Sequence, residues 1–553
     1  MRSAKLSLIF IAAFSHTASS QPSPADLLIL NAHVWTVDDA LPEAQAVAVR
    51  GERIVYVGTD DGARTLAGPA TKTIDAKGRL LLPGFQDNHT HFISGGEEVG
   101  QLDLKDAATH EEFGRRIAAY AKTKQPGEWI TGGNWDHDKF PNGELPTAEL
   151  IDKYCPDLPV FVNRFDGHMA CANSRALKLA GVTAAMADPV GGTIVRKPGG
   201  REPAGVLKDA AMDPVWKAVP DPTPDQRAAS ARKAFAEARR LGLTTIQDMI
   251  GGRGNLQAYE TVRAEGGMTA RIYGRWPIQD WEWLAKRTKE RGFGDDLFTI
   301  RSLKGYADGS IGSSTAYFFR PYADDPKNFG LPSDHLDKLP AWCLGADAAG
   351  LQISIHAIGD RGIYEILDII ERLERTNGPR DRRPRIEHDQ HPHPRDIPRH
   401  VKLGAIACVQ PYHCIDDGRF VEKRIGYRRC QTTYPFRSFL DAGARMCFGT
   451  DWPVAPLDPI LGLDAAVNRR TLDGKNPDGW FPEQKITVAE AIRAYTLENA
   501  FAAYAEAKTG SITVGKYADL VLLDKDLLKI NPKEIPGTKV EVTVLGGKVV
   551  YER

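Results

Sequence analysis

Short apolar runs recur through the middle of the chain and alternate there with longer stretches in which apolar positions follow a helical period. This alternation is typical of a parallel sheet whose strands are joined by crossover helices. The candidate strands are 80–85, 244–246, 270–273, 300–303, 351–355, 385–387, 405–409 and 445–448. Because eight parallel strands are the number that closes a (β/α)₈ barrel, we predict an α/β fold of this TIM-like class.

Both chain ends carry a different pattern, in which short strands follow one another without helices between them. The N-terminal candidates are 27–30, 34–37, 46–49, 54–58 and 73–75, and the C-terminal candidates are 515–523, 540–545 and 548–551. We expect segments 21–83 and 507–553 to pair into one small β-sandwich domain, and 84–506 to form the barrel.

A long stretch, about 95–239, separates the first two candidate barrel strands. It is far longer than one crossover connection needs, and it has strand signals of its own at 129–131 and 160–162. We therefore predict a large insertion after the first barrel strand that roofs the barrel mouth.

Residues 1–20 have the pattern of a secretory signal peptide. Arg2 and Lys5 precede an apolar run at 6–14, and small residues at 18–20 form a cleavage point. That run is too short to span a bilayer, and no later run reaches ~18 uninterrupted apolar residues. We expect an exported protein, periplasmic or secreted, that is not inserted in a membrane once the signal is removed.

Composition and charge narrow the classes of partner. Hydrophobic residues make up 42% of the chain and charged residues 26%, which is typical of a folded protein with a sizeable core. The 71 Lys and Arg residues nearly cancel the 72 Asp and Glu residues, so no net field attracts nucleic acid. The expected partner is a small-molecule substrate, while assembly into a homo-oligomer stays open. The seven cysteines have scattered spacing that predicts no disulfide framework.

The sharpest chemical signal is the pair His89 and His91, directly after an apolar strand. Two residues that are two apart on an extended segment project to the same side, so both imidazoles can meet one metal ion. An HxH pattern alone is weak evidence. At the C-terminal end of a barrel strand it is stronger, because catalytic groups lie on that face. A second HxH, His391 and His393, is interleaved with prolines, and we interpret it as a loop.

Three further residues that can bind a metal occupy the same position beyond other candidate strands, namely His356, His388 and Asp451. A single histidine at a strand end is more often a structural hydrogen-bonding group than a ligand. Four histidines and one aspartate at successive strand ends instead favour a metal site at the barrel mouth.

Several motifs together carry a resemblance to a known family. They are LLPGFQDNHTHF, DGHMACANSRAL (166–177), KGYADGSIGSSTA (304–316), SIHAIGDRGI (354–363), RIEHDQ (385–390), FGTDWPV (448–454) and GKYADLVLLD (515–524). With them the chain resembles the amidohydrolase superfamily, and within it amidohydrolase family 3, which includes N-substituted formamide deformylases. The resemblance covers essentially the whole chain after the signal and leaves the substrate open.

The resemblance implies specific roles at matching positions. The implied ligands of one or two divalent ions, zinc being the expected metal, are His89, His91, His356, His388 and Asp451. Asp451 is also the implied general base, and Lys304 is implied to be N-carboxylated and to bridge two ions. A carbamate can ligate two metals, whereas an ammonium would repel them. A free Lys304 held by Asp308, with a single metal, is the alternative.

Other residues are candidates for contact with substrate. His168 resembles a position that faces the substrate and is a candidate carbonyl or oxyanion partner, against a structural role. Trp135, Asp136 and Trp452 are candidate pocket walls, although core aromatics explain the tryptophans equally well. His413 follows the seventh candidate strand, and Asp308 follows the fourth; we predict that both border the substrate.

The sequence therefore predicts a metal-dependent hydrolase that cleaves a C–N bond, other than a peptide bond, in an amide, N-formyl or N-acyl small molecule. A hydrolytic deaminase, or a carbamate or ester hydrolase, could use the same metal groups. A secreted regulatory protein that keeps the barrel without the activity is the alternative from another class.

Overall fold

The computed structural model describes residues 23–553, and the first elements of this part of the chain form two small sheets. The predicted signal peptide at 1–20 lies outside the described residues. The first elements are β1 (Leu27–Leu30), β2 (His33–Trp35), β3 (Glu43–Ala44), β4 (Ala46–Arg50), β5 (Arg53–Gly58), α1 (Asp60–Arg64), β6 (Lys72–Asp75) and β7 (Leu80–Pro83). One sheet has the order β5-β4-β1-β6, while β7 and β2 pair in a second sheet. The buried faces of β1 and β4 form part of the core between these two sheets.

The first barrel strand, β8 (Phe85–Thr90), follows almost directly, and α2 (Phe92–Glu98) succeeds it. The prediction of 80–85 as this strand was wrong, because Leu80–Pro83 belongs to the sandwich. The chain passes from one sheet to the other at Gly84, where an added Cβ would lie 2.3 Å from the Thr244 side chain. Apolar residues continue across this crossing, so hydrophobicity alone carries no sign of it.

A separate layer stands between α2 and the next barrel element. It comprises α3 (His110–Ala121), α4 (Ala148–Tyr154), β9 (Phe161–Asn163), β10 (Met169–Ala172), α5 (Ser174–Leu179), β11 (Gly192–Arg196), β12 (Pro203–Asp209) and α6 (Asp213–Ala218). Its sheet has the order β11-β12-β10-β9, and its apolar side chains form clusters separate from the barrel core. We call this layer the roof. The predicted insertion after the first strand is confirmed, and it ends before α7 (Pro224–Arg240), which packs against α2.

The remaining strands alternate with helices as predicted. They are β13 (Leu243–Met249), α8 (Arg253–Ala264), β14 (Arg271–Pro277), α9 (Trp281–Arg291), β15 (Phe298–Tyr306), α10 (Leu339–Ala348), β16 (Gln352–Ala357), α11 (Asp360–Asn377), β17 (Arg385–His388), α12 (Ile397–Leu403), β18 (Ile406–Val409), α13 (Pro411–Asp417), α14 (Val421–Ile425), α15 (Tyr427–Cys430), α16 (Phe436–Ala442), β19 (Met446–Phe448), α17 (Pro459–Asn468), α18 (Val488–Ala494) and α19 (Leu497–Ala502). The sheet runs β8-β13-β14-β15-β16-β17-β18-β19 in chain order, with parallel pairs throughout. A parallel bridge between Thr90 and Trp452 brings its two edges together. The predicted (β/α)₈ class is confirmed.

The C-terminal strands return to the sandwich. They are β20 (Leu520–Leu523), β21 (Val540–Leu545) and β22 (Lys548–Glu552). Strand β20 pairs with β7 in a sheet of order β22-β21-β20-β7-β2-β3, so both chain ends build this sheet, as predicted. Among the helices of 23–553, none is both long enough and apolar enough to cross a membrane.

Candidate metal centre

The carboxyl ends of several barrel strands meet beneath the roof and enclose a cavity of about 420 Å³, which we call the metal cavity. The predicted ligands among its lining residues are His91, Lys304, His356, His388 and Asp451. His89, on β8, is fully buried beside them. The residues that the sequence placed at separate strand ends thus converge in space, because parallel strands present their carboxyl ends at one edge.

His89 is held from behind by a buried carboxylate. Its Nδ1 lies 2.5 Å from Glu387 Oε2, and its Nε2 lies 3.2 Å from Lys304 Nζ. Hydrogen bonding of Nδ1 to a carboxylate leaves Nε2 as the nitrogen that can bind a metal. Burial, followed by the charge of Lys304, lowers the pKa of His89 to about 3, so this imidazole is neutral near pH 7.

Asp451 faces both histidines of the HxH pair. Its Oδ1 lies 3.3 Å from His89 Nε2 and 3.4 Å from His91 Nε2. Burial favours the protonated acid, but His89 and His91 outweigh it and hold the pKa of Asp451 below its usual range. Asp451 is therefore ionised near pH 7. It also has a φ of 59°, a conformation that is uncommon outside glycine and that clusters at functional sites.

His388 and His413 form the other side of the cavity. Their rings stack with centroids 6.4 Å apart, and His388 Nδ1 lies 4.0 Å from Asp451 Oδ2. His388 shares the left-handed backbone conformation of Asp451, with a φ of 73°. Burial, with the neighbouring rings of His356 and His89, lowers the pKa of His388 well below the usual range, so it too is neutral.

His356 is oriented by groups behind it. Its Nε2 lies 3.1 Å from Gly309 O and 3.4 Å from Asp308 Oδ1, which leaves Nδ1 as the nitrogen free for a ligand. Asp308 in turn accepts backbone N–H groups from Tyr317, Ile358 and Gly359 at 2.8–3.0 Å. Asp308 therefore organises this loop, and it is not among the residues that line the metal cavity.

Lys304 is buried, with its ammonium group near His89 and over the ring of Tyr306 at 4.8 Å. Burial lowers its pKa to about 8, against the opposing charges of Glu387 and Asp451. About a tenth of the lysine is then the neutral amine at pH 7, far more than for an ordinary lysine. Within the described residues, the hydrogen bond of Nζ is to His89, so a lysine held by Asp308 is not the arrangement in this structure.

The roof contributes His168 to the metal cavity. Its Nδ1 lies 2.7 Å from Asp209 Oδ1, and its ring centroid lies 5.5 Å from that of His356. Burial alone would lower the pKa of His168, but the hydrogen bond and charge of Asp209 raise it to about 9. His168 is therefore a cation near pH 7, able to donate from Nε2.

Three predicted pocket walls lie elsewhere. Trp135 is fully buried in the roof core and donates to Val162 O at 2.7 Å. Asp136 is paired with Arg419 at 2.8 Å, and Trp452 packs on Phe92. Like Asp308, none of the three is a lining residue of the metal cavity.

Sequence reasoning missed the carboxylates that support the site. Glu387 lies behind His89, and Asp209 lies behind His168. Asp87 accepts His89 N at 2.9 Å and Thr450 Oγ1 at 2.6 Å, which ties β8 to the turn that carries Asp451. Asp87 precedes His89 by two positions, and Glu387 precedes His388 by one. An acidic residue within a buried strand, next to a candidate ligand, is the sequence signal that could have identified both.

The donor set fits a divalent cation. His89, His91 and Asp451 can bring one ligand atom each within 4.8 Å of one another, and so can His388, His413 and Asp451. Buried Asp451 Oδ1, His388 Nδ1 and His413 Nε2 have no hydrogen-bond partner of good geometry. Unpaired buried polar atoms are costly, and a metal ion would satisfy them. Imidazole with carboxylate is a donor set that suits zinc and related ions.

Comparisons with known proteins agree with this chemistry. The model described as amidohydrolase family matches residues 72–551. The chain is 37% identical to Protein LONG AFTER FAR-RED 3 of Arabidopsis thaliana, over 95% of this chain and 92% of that protein. It is 28% identical to N-substituted formamide deformylase of Arthrobacter pascens, over 96% of this chain and 98% of that protein. An uncharacterized metal-dependent hydrolase from Pyrococcus horikoshii has a similar structure, with a TM-score of 0.73 and 25% identity, over 92% of this chain and 99% of that one.

Proposed function

The chain belongs to the amidohydrolase family, as its motifs indicated, and on that premise we propose that it hydrolyses a C–N bond, other than a peptide bond, in an amide, N-formyl or N-acyl small molecule. The observation that carries the proposal is the convergence of unpaired imidazole and carboxylate atoms in one cavity. The similarity to a protein named N-substituted formamide deformylase supports the choice of bond.

We assign the metal to His89, His91, His356, His388 and Asp451, with Lys304 as a further ligand if it is carboxylated. His413 borders the same groups and is a candidate for either metal or substrate. When bound, a divalent cation such as zinc supplies a water of lowered pKa and polarises the substrate carbonyl. Asp451 belongs both to the group with His89 and His91 and to the group with His388 and His413. The donor set is therefore compatible with one ion or with two.

The chain's own residues handle the protons. Asp451, ionised near pH 7, accepts the proton of the attacking water and returns it to the leaving nitrogen, since an amide anion leaves badly without one. His168 is protonated under the same conditions, and its free Nε2–H donates toward the carbonyl oxygen, where negative charge develops.

Replacement of Asp451 by Asn tests this assignment. Turnover should fall by at least a factor of ~10² because proton transfer by a positioned base contributes ~10²–10⁴-fold. In metal-loaded variant protein, elemental analysis should still find the metal because the four imidazoles remain, although the metal affinity should fall with the loss of the Asp451 ligand. If the Asp451→Asn variant keeps its activity, Asp451 is not the general base.

The substrate is best sought with a screen of N-acyl amino acids, formamides and cyclic amides against protein of measured metal content. Release of a carboxylate and an amine supports the proposal, whereas release of ammonia from a ring indicates the deaminase alternative. Chelator-treated protein should be inactive and should recover when metal is restored. Metal-loaded, folded protein without turnover on any of these classes would favour a regulatory role.

A further inference from the structure

A second cavity, of about 500 Å³, lies outside the metal cavity and has several basic residues in its lining. Four arginines line it, namely Arg320, Arg395, Arg428 and Arg429. We call it the arginine cavity. His391, of the proline-interleaved HxH, lines it as well, whereas the preceding residue Gln390 lines the metal cavity. One short stretch of backbone therefore separates the two cavities.

The four guanidinium groups lack acidic partners. Within 23–553, no carboxylate oxygen lies within 4.0 Å of any of them, although the nearby Arg424 has such a partner in Asp324 at 2.9 Å. The carboxylate that lines the cavity is Asp360, whose Oδ1 accepts Phe319 N at 2.8 Å. Its charge offsets only one of the four guanidiniums, so the lining stays positive. Since basic residues on a protein surface usually have acidic neighbours, four unpaired guanidiniums around one concavity create a positive field that attracts anions.

Two buried atoms in this cavity also lack partners. Arg429 donates from Nη1 to Pro321 O at 2.8 Å, but its Nη2 is buried without a hydrogen bond. His391 is held through Nδ1 by Thr433 Oγ1 at 2.8 Å, and its Nε2 is likewise buried and unpaired. Thr433 Oγ1 also lies 3.4 Å from Arg429 O; in the tautomer in which Thr433 donates to Nδ1, Nε2 carries the proton. Unsatisfied buried donors are costly and call for a specific explanation, such as a ligand that accepts from them.

Aromatic rings contact two of the four arginines. The Arg429 guanidinium lies 4.3 Å from the centroid of Phe318, and that of Arg395 lies 5.7 Å from the centroid of Phe319. Stacking on a ring fixes the plane of a guanidinium and leaves its edge N–H groups free to form paired hydrogen bonds with an oxyanion. Phe318 and Ile425 add apolar surface to the lining.

We propose that the arginine cavity is a binding site for a small organic anion, held through a carboxylate or phosphate group. Planar guanidiniums match both groups, because each offers two oxygens to a paired donor. The volume of about 500 Å³ lies in the range of small-molecule sites, roughly 300–1,000 Å³. The apolar lining accommodates the carbon skeleton of such a ligand. This site is independent of the identity of the hydrolysed bond.

Calorimetric titration of the metal-loaded, full-length enzyme tests the proposal. Inorganic phosphate and succinate, each in a low-salt buffer, serve as separate probes of the two candidate groups. Wild-type enzyme should bind one or both at one site per chain, and the tighter of the two identifies the group preferred. The variant Arg320→Gln with Arg428→Gln should bind at least tenfold more weakly. Both side chains are exposed and make no side-chain hydrogen bond within the described chain, so folding should be preserved.

The matched control is Arg175→Gln with Arg291→Gln, two exposed arginines that lie outside the arginine cavity and also lack ion pairs in the described structure. It removes the same charge, so its affinity should equal that of wild type. The proposal is overturned if wild type binds neither anion, or if the control loses affinity as much as the cavity variant. Binding that survives Arg320→Gln with Arg428→Gln would lie elsewhere, for instance at the metal, and would also overturn it.

Discussion

Replacement of Glu387 by Gln removes one charge from the centre of the barrel while it keeps the shape of the side chain. Glu387 is fully buried, and its oxygens lie 3.0 Å from Arg385 Nε, 3.4 Å from Arg275 Nη1 and 2.5 Å from His89 Nδ1. Both arginines are fully buried as well, and Glu387 is the only carboxylate within 4.0 Å of either among residues 23–553. Burial opposes ionisation of Glu387, but the two guanidiniums hold its pKa well below the usual range.

The expected cost follows from the two buried cations left without a counter-charge. Removal of one partner of a buried ion pair typically costs ~3–5 kcal/mol. Glutamine can still accept from Arg385, so we expect the lower end, about 3 kcal/mol of unfolding free energy, which is a large part of the ~5–15 kcal/mol of a typical domain. Loss of the carboxylate behind His89 should also weaken metal binding about 10–100-fold.

Urea denaturation of chelator-treated protein measures the first effect without a contribution from bound metal, and competition with a chromophoric chelator measures the second. Glu490→Gln is the matched control. Glu490 pairs with Arg437 at 2.5 Å at a partly exposed site, where such a change costs less than about 1 kcal/mol. Addition of Arg275→Met to Glu387→Gln should recover part of the stability, because it removes one uncompensated cation. Equal stability of Glu387→Gln and Glu490→Gln, with unchanged metal affinity, would refute this reasoning.

Three further predictions concern the roof and the lysine. Asp209→Asn removes the carboxylate that raises the pKa of His168 to about 9. His168 is protonated below its pKa and loses the proton as the pH rises through it, so the alkaline limit of kcat/KM should move down toward pH 6.5; a pH–rate profile in which this limb does not move would contradict the role. Trp135→Phe should lower the free energy of unfolding by about 1–3 kcal/mol and leave KM unchanged, because Trp135 packs in the roof core; a changed KM with unchanged stability would restore it to the pocket wall. If Lys304 is carboxylated, ¹³C NMR of enzyme equilibrated with labelled bicarbonate should show a carbamate signal that Lys304→Ala lacks, and a wild-type spectrum without that signal would favour the free lysine.

The convergence of the candidate ligands could be predicted because it depends on topology alone. Once the chain is read as a parallel barrel, residues that follow successive strands must meet at one edge, and His356, His388 and Asp451 do so. The position of the first strand could not be predicted in the same way. Residues 80–90 are buried throughout, so the change of sheet at Gly84, where a Cβ would clash with Thr244, leaves no periodic signal.

The predicted pocket walls Trp135 and Asp136 do not line the metal cavity, and the reason is different. Trp135 and Asp136 belong to the roof, whose sheet is separate from the barrel and does not follow its alternation of strands and helices. Whether these side chains face the cavity or the roof core depends on tertiary packing, which the local sequence does not indicate. Glu387 was overlooked because all of β17 is buried. Strands that are buried on both faces are usually apolar throughout. The charged side chains at the alternate positions Arg385 and Glu387 therefore indicate that one face of β17 borders a polar barrel interior.

The charge of that interior bears on the state of Lys304. Arg275, Arg385 and Lys304 interact with one another across the site, and the carboxylates that oppose them are Glu387 and Asp451. Among these five groups, cations outnumber carboxylates while Lys304 is an ammonium, so their summed charge opposes the entry of a divalent cation. Carboxylation converts one positive charge into one negative charge, which leaves carboxylates and carbamate in excess. Because electrostatic energies are large where water is excluded, this change favours metal binding. Burial lowers the pKa of Lys304 to about 8, which increases the neutral amine that the proposed reaction with carbon dioxide requires.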